Sequence, residues 1–325
     1  HLDLETRSQV DLRRAGVYVY AEDESTDVWC ACYSVGNGPV ELWTPGMPVP
    51  EAILVAVKKN WELFAHNANF ERAIWSAILT PRYGWPLPQL EQWRCTMAMA
   101  LAMSFPAGLA EAAAAAGIED GKDMKGRGLM LRMARPRSID DGGKVVWWDE
   151  SERKQALYNY CIRDVETERA MLRTVKPLIK SEQELWCLDQ QINDRGMYVD
   201  REFCEAAQIV VDAALKSLND EIMEITDGKV SATTQTARIV AWLAAQEVQV
   251  DSIDKQHLDE LLLQSGLSVR VRRVLEIRRA GAAASVKKIK ALLACCSADG
   301  RARGLLQFHA ASTGRWGGRR FQPQN

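Results

Sequence analysis

The sequence predicts a mixed α/β first half and an almost wholly helical second half, and three observations carry that reading. Up to Trp43, short apolar runs rich in Val, Tyr and Trp alternate with acidic or Gly/Pro turn clusters, as strands do. From Glu150 onward, apolar residues recur at helical spacing instead. Within the helical regime, Pro177 followed by Ser181 and Glu184 at capping-box spacing marks a boundary, giving expected domains of residues 1–178 and 179–325.

Taken in order, strands are expected at His1 to Glu5, Gly16 to Tyr20, Val28 to Ser34 and Val40 to Trp43. Leu63 to Asn67 reads as a further short strand. Asn69 to Leu79 carries Phe70, Ile74, Trp75 and Ile78 at helix spacing. The Ala112 to Ala116 run has high helix propensity and ends at Gly117. Helices then follow at Ser151 to Arg173, Ser181 to Asp194 (stopping near Gly196), Glu202 to Ile225, Thr234 to Glu247, Asp254 to Gln264 and Ser268 to Ala294. A β-like stretch, Gly304 to His309, leads into a Gly/Arg-rich loop.

The 325 residues correspond to about two domains of roughly 150 each. A hydrophobic content of 47% is enough for packed cores and excludes global disorder. Lys and Arg number 41 against 43 Asp and Glu, but the near-neutral sum hides an asymmetry. From Leu267 to Asn325 there are 13 basic and 2 acidic residues, leaving 28 basic and 41 acidic before them. An acidic body thus precedes a basic segment suited to phosphates. The cysteines are Cys30, Cys32, Cys95, Cys161, Cys187, Cys204, Cys295 and Cys296, without a C-x-x-C pair, so structural zinc is not expected. Buried thiols, no signal-peptide pattern and no bilayer-length apolar run make a cytoplasmic location the expectation. The chain opens without Met and closes on Gln-Pro-Gln-Asn within a motif, so it is expected to be a piece at both ends.

Carboxylates supply the candidate chemistry. Asp3 and Glu5 stand two apart on the first strand and so face one point, though an isolated D-x-E is more often a solvated edge. Asn67-Ala68-Asn69-Phe70-Glu71 places Glu71 in the first turn of a helix, where the dipole alone favours an acid. Tyr160 and Asp164 share one face of a later helix.

In this order, D-x-E, N-x-x-[FY]-[DE] at a strand-to-helix junction and Y-x-x-x-D resemble the 3′→5′ proofreading exonuclease domain of phage-type family A DNA polymerases. Leu2 to Ser8, Ala65 to Arg72, Trp93 to Thr96 and Trp147 to Asp149 extend the resemblance over the first half. It implies a ribonuclease H-like α/β domain, a mixed sheet flanked by helices. It further implies Asp3, Glu5, Glu71 and Asp164 as ligands of two Mg²⁺ (or Mn²⁺) ions and Tyr160 as the residue orienting the attacking water. Glu71 departs from the bacterial polymerase I pattern, which has Asp there. The histidine variant of the superfamily would need His where this chain has Asn159. Two divalent ions activate water and neutralise the departing 3′ oxygen, and hard carboxylate oxygens suit them. Phe70, Phe105, Trp147 and Trp148 are candidates to stack terminal bases, each being more often a core residue.

Gln190 to Asp200 resembles the start of the family's polymerase region. Ser268 to Ala294 would then be a long, basic thumb helix carrying Lys287 and Lys288 among its cations. Thr313-Gly314-Arg315 followed by Gln322-Pro323-Gln324-Asn325 resembles the T-G-R…Q-N segment of the palm. The resemblance implies that Arg315 contacts the primer terminus and that Gln324 and Asn325 lie near the template-primer. It places the polymerase aspartates downstream of this last motif, so no polymerase activity is expected of the chain as given. The expected function is the N-terminal part of a DNA-directed DNA polymerase, acting in the host cytoplasm if viral. Single-stranded 3′ ends would bind at the exonuclease site and primer-template duplex at the thumb, with no membrane. Removal of Leu267 to Asn325 is expected to cost DNA affinity more than chemistry. The alternatives are a stand-alone four-acid exonuclease acting on DNA or RNA, and a DNA-binding module with a decayed site.

Overall fold

The computed structural model describes residues 1–118, 124–282 and 284–323. Two compact units emerge: His1–Tyr198 with Ala294–Asn325, and Val199–Leu293.

The first unit begins with strand β1 (Leu2–Arg7), helices α1 (Leu12–Ala15) and α2 (Val17–Glu22), then β2 (Asp27–Tyr33) and β3 (Glu41–Trp43). Strands β1, β2 and β3 form an antiparallel sheet in that order, with a register shift between Glu5 and Thr6. Helix α3 (Glu51–Lys58), β4 (Leu63–Ala65), and α4 (Ala68–Ile74) continuing as a π-helical turn through Leu79 come next. They are followed by α5 (Thr80–Tyr83), β5 (Trp93–Cys95), α6 (Thr96–Ala102), α7 (Leu109–Ala115) and α8 (Met124–Met133). The expected single mixed sheet is divided: β4 pairs in parallel with β5 and lies beside β1 without a ladder to it.

Gly16 to Tyr20, expected as a strand, is helical. Its β-branched and aromatic residues favour strands in isolation. Gly16 takes φ +88°, ends α1, and lets the chain restart as α2. Val17, Tyr20 and Ala21 are then buried at helical spacing against α4, and the Tyr20 hydroxyl meets Thr6 Oγ1 at 2.8 Å. Tertiary burial overrides local propensity here.

After the short hairpin β6 (Ser138–Ile139) and β7 (Val145–Val146), helix α9 (Ser151–Leu172) packs across β1 and β2. Helix α10 (Lys180–Arg195) starts on Ile179, so Ser181 does not cap it. The first unit therefore runs past the expected boundary after residue 178, because α10 buries Trp186 in the core of the first unit. That core is organised by indoles: Trp43 meets Trp85 at 5.1 Å, Trp85 meets Trp75 at 4.9 Å, and Trp75 meets Trp93 at 5.6 Å, all edge to face.

The second unit holds α11 (Arg201–Ile225), α12 (Thr236–Ala244), α13 (Lys255–Leu262) and α14 (Val269–Gly281), with α15 (Ala284–Ala294) leading out of it. Ile222, Ile239, Leu243, Leu258, Val274 and Leu275 share its apolar centre. The long helix expected from Ser268 to Ala294 is two helices, divided after Gly281. Glycine is a poor helix former, and here its missing side chain admits Thr233, whose Oγ1 would stand 2.5 Å from a Cβ.

The chain then returns to the first unit. The short strand β8 (Met197–Tyr198) pairs with β9 (Arg301–Ala302), and β10 (Leu306–Gln307) pairs with β11 (Gly317–Gly318). Gly196, at φ +64°, ends α10 where a Cβ would collide with the Ala302 carbonyl oxygen. Asn193 binds the Leu306 backbone twice: its Oδ1 accepts from the Leu306 N–H at 2.9 Å and its Nδ2 donates to the Leu306 carbonyl at 3.1 Å. Truncation before Ala294 thus removes part of the first unit's own fold, so deleting Leu267 to Asn325 takes away more than the basic segment.

Asn193→Ala leaves two backbone groups of Leu306 without their partners. Urea unfolding followed by tryptophan fluorescence should show a loss of about 1–3 kcal/mol. Arg201→Ala, which breaks an exposed pair with Glu205, should stay within about 0.5 kcal/mol.

Candidate active site

Three elements of the first unit deliver the acids. Strand β1 presents Asp3 and Glu5 on one face, α4 presents Glu71 in its first turn, and α9 presents Tyr160 and Asp164 one turn apart. Carboxylate oxygens of Asp3, Glu5 and Asp164 lie within 4.8 Å of one another. Glu71 is 3% exposed, lines the same cavity of about 310 Å³, and has an Oε2 with no hydrogen-bond partner among the described residues. It is not one of the close trio, but the Asp3 charge acts on it.

The charges are arranged against themselves. Burial pushes the Asp3, Glu5 and Glu71 carboxyls well above the usual carboxylate range. Repulsion adds to this, from Asp164 on Asp3, from Asp3 and Asp164 on Glu5, and from Asp3 on Glu71. Burial first and the Asp164 charge second raise the Tyr160 phenol, which stays protonated and hydrogen-bonds Asp164. Such a cluster relaxes when cations neutralise it. The orphaned Glu71 oxygen and the all-oxygen donor set fit hard divalent ions of the Mg²⁺ type.

The surroundings include residues that sequence reasoning quoted only as flanks or missed. His66, held neutral by burial, donates from Nε2 to the Ala107 carbonyl at 2.9 Å, leaving Nδ1 facing Thr96 Oγ1 at 3.2 Å. This fixes the turn before Asn67, whose φ of +68° opens α4. Tyr20 lines the cavity, a role hidden by its reading as a strand residue. Of the four stacking candidates, Phe70 lines the cavity. Phe105 packs beside Met99 and Met171, and Trp147 and Trp148 pack beside Trp29 and Leu157. Arg13 and Arg135 stand at the cavity wall.

The expected DNA contacts are not gathered at this cavity. Arg315 is exposed in the loop between β10 and β11, and Lys288 is half-buried. Gln324 and Asn325, and the side chain of Lys287, lie outside the described residues. The arginines of α14 have protein partners: Arg270 with Asp227, Arg273 with Glu221, Arg279 with Asp259, and Arg278 with the Thr233 carbonyl. These exposed pairs are weak, so phosphates could displace them, but the basic run is not an idle surface.

No protein-family model matches the chain. Along its whole length, over 338 residues, it is 33% identical to a DNA polymerase of Bacillus phage SP02, and it spans about half of that protein. No helix among the described residues is long and apolar enough to cross a membrane. Among solved structures, the POL domain of Pol1 from M. smegmatis, in complex with DNA primer-template and dNTP, aligns with a TM-score of 0.49 at 16% identity. That alignment covers 92% of this chain and 50% of the other.

The raised carboxyls fix the sign of a pH effect. Their contribution to stability is fully present below the unfolded carboxyl value of about 4 and is lost as pH rises through their folded values. Without metal, Asp3→Asn should therefore raise the melting temperature at pH 8. Mg²⁺ or Mn²⁺ should raise that of the parent chain more at pH 8 than at pH 5, and much less in the variant. A metal-free Asp3→Asn chain that melts lower than its parent would contradict the repulsion described.

Proposed function

From the premise that the chain is a family A-like DNA polymerase homologue, we propose that its first unit is a 3′→5′ exonuclease removing mononucleotides from DNA 3′ ends, the proofreading function of a replicative polymerase. The observation that carries this reading is the convergence of Asp3, Glu5 and Asp164, backed by Glu71 and Tyr160, in one cavity. The fold reading that accompanies it is a ribonuclease H-like domain within His1–Tyr198, with the helices of Val199–Leu293 as thumb and the segment from Ala294, which belongs to the first unit, as the start of the palm.

Asp3, Glu5 and Asp164 would hold two divalent cations, with Glu71 as a further oxygen donor. When bound, the cations supply positive charge to activate water and to stabilise the departing 3′ oxygen. The protein's own groups do the rest. The neutral phenol of Tyr160 donates to Asp164 and leaves its oxygen to accept from, and so orient, the attacking water. Phe70 offers a ring in the cavity wall on which the terminal base can stack. His66 keeps the β4–α4 turn in place and thereby aims Glu71. Duplex DNA would contact Arg315, Lys287, Lys288, Gln324 and Asn325, an electrostatic attachment that weakens with salt.

The test is degradation of 5′-labelled single-stranded DNA by the full chain with Mg²⁺ or Mn²⁺, alongside a matched RNA strand. Asp3→Ala and Asp164→Ala should each slow the reaction by about 10²-fold or more, comparable to losing a principal electrostatic stabiliser. Tyr160→Phe should slow it by up to about 10²-fold through misplaced water, with little change in KM. Intact DNA after incubation with either cation, or an Asp3→Ala chain as fast as its parent, would refute the reading.

A further inference from the structure

Three thiols, two from β2 and one from α9, meet beside the carboxylates. Cys30 and Cys32 stand two apart on β2 and project to one face, opposite Glu5 and Asp3 of β1. Cys161 lies on α9, between Tyr160 and Asp164 in sequence. Their sulfurs lie within 4.8 Å of one another, and all three residues are 0% exposed. Val165 and the half-buried Val40, Leu42 and Ile162 pack around the trio, while Asp3 borders it on the carboxylate side.

We propose that Cys30, Cys32 and Cys161 form a binding site for one thiophilic divalent cation of the Zn²⁺ or Cd²⁺ type, chemically separate from the carboxylate site. A small buried thiol can serve as mere apolar packing, for which cysteine is well suited. Packing alone does not require three sulfurs from two elements to face one another. Zinc–sulfur bonds of about 2.3 Å in a tetrahedron put the sulfurs about 3.8 Å apart, so the trio needs only a slight contraction. The Asp3 carbonyl oxygen, 3.5 Å from Cys161 Sγ, stands ready as a neutral fourth donor. Soft thiolates select Zn²⁺ or Cd²⁺ over Mg²⁺, whereas the neighbouring oxygens prefer the harder ion. On binding, each thiol gives its proton to solvent and forms one sulfur–metal bond, with no electron transferred. The ion joins the strand paired with β1 to the helix bearing Tyr160 and Asp164, and so locks the two halves of the acid cluster together.

The experiment uses the full chain with excess Mg²⁺ present to occupy the oxygen donors. Cd²⁺ titration should give thiolate-to-cadmium charge-transfer absorbance saturating at one equivalent. Native mass spectrometry of protein produced with added zinc should retain one Zn²⁺. Cys32→Ser and Cys161→Ser should each weaken Cd²⁺ binding by at least about tenfold. Cys161→Ala, which keeps a small apolar side chain and should fold as its parent does by circular dichroism, should do the same. Cys204→Ser, on α11 of the other unit, should bind as the parent does. No metal retained and no charge-transfer band would overturn the proposal, as would a band unchanged in both Cys32→Ser and Cys161→Ala.

Discussion

The packing of α9 across β1 and β2 is the contact on which the candidate site depends. Leu157, Cys161, Val165 and Met171 are buried along the inner side of that helix, and Cys161 and Val165 pack against Cys30 and Cys32 of β2. Asp164 reaches Asp3 and Glu5 because the apolar residues beside it are buried. Burial of this kind contributes on the order of 1.5–3 kcal/mol for each large apolar side chain. The carboxylates oppose it through desolvation and mutual repulsion. The acid cluster is thus held together by its apolar neighbours rather than by its own interactions.

Much of this was legible in the sequence because the relevant periods are short. Period two put Asp3 and Glu5 on one face, and period four put Tyr160 and Asp164 on another. The junction motif put Glu71 in the first turn of a helix. What was not legible depends on contacts between distant residues. Val17 and Tyr20 favour strands locally yet are helical, because α4 offers a surface to bury them. Trp43, Trp75, Trp85 and Trp93 look like scattered aromatics in sequence, and their edge-to-face chain exists only once β3, the π-helical turn and β5 are assembled. The thiol trio escaped attention for the same reason: spacing rules find neighbours in sequence, and Cys161 is a neighbour of Cys30 and Cys32 only in space.

The charge asymmetry has also changed in meaning. The basic stretch divides between α14 and α15 on one side and, from Ala294 onward, a segment belonging to the first unit. Several of its arginines are occupied in holding local structure: Arg303 grips Asp299 and the Asp194 carbonyl, and Arg320 donates to the Arg13 carbonyl. A count of charges along the chain could not separate these structural cations from exposed Arg315.

The return of the chain through β8–β9 and the Asn193–Leu306 bonds gives the molecule a particular order of assembly. The first unit is discontinuous, with the 199–293 unit inserted between Tyr198 and Ala294. During synthesis, β8 and the end of α10 must wait for Arg301 and Leu306 to leave the ribosome, while the inserted helices are already complete and rich in local contacts. The first unit, although begun first, is completed only when the segment from Ala294 has been made.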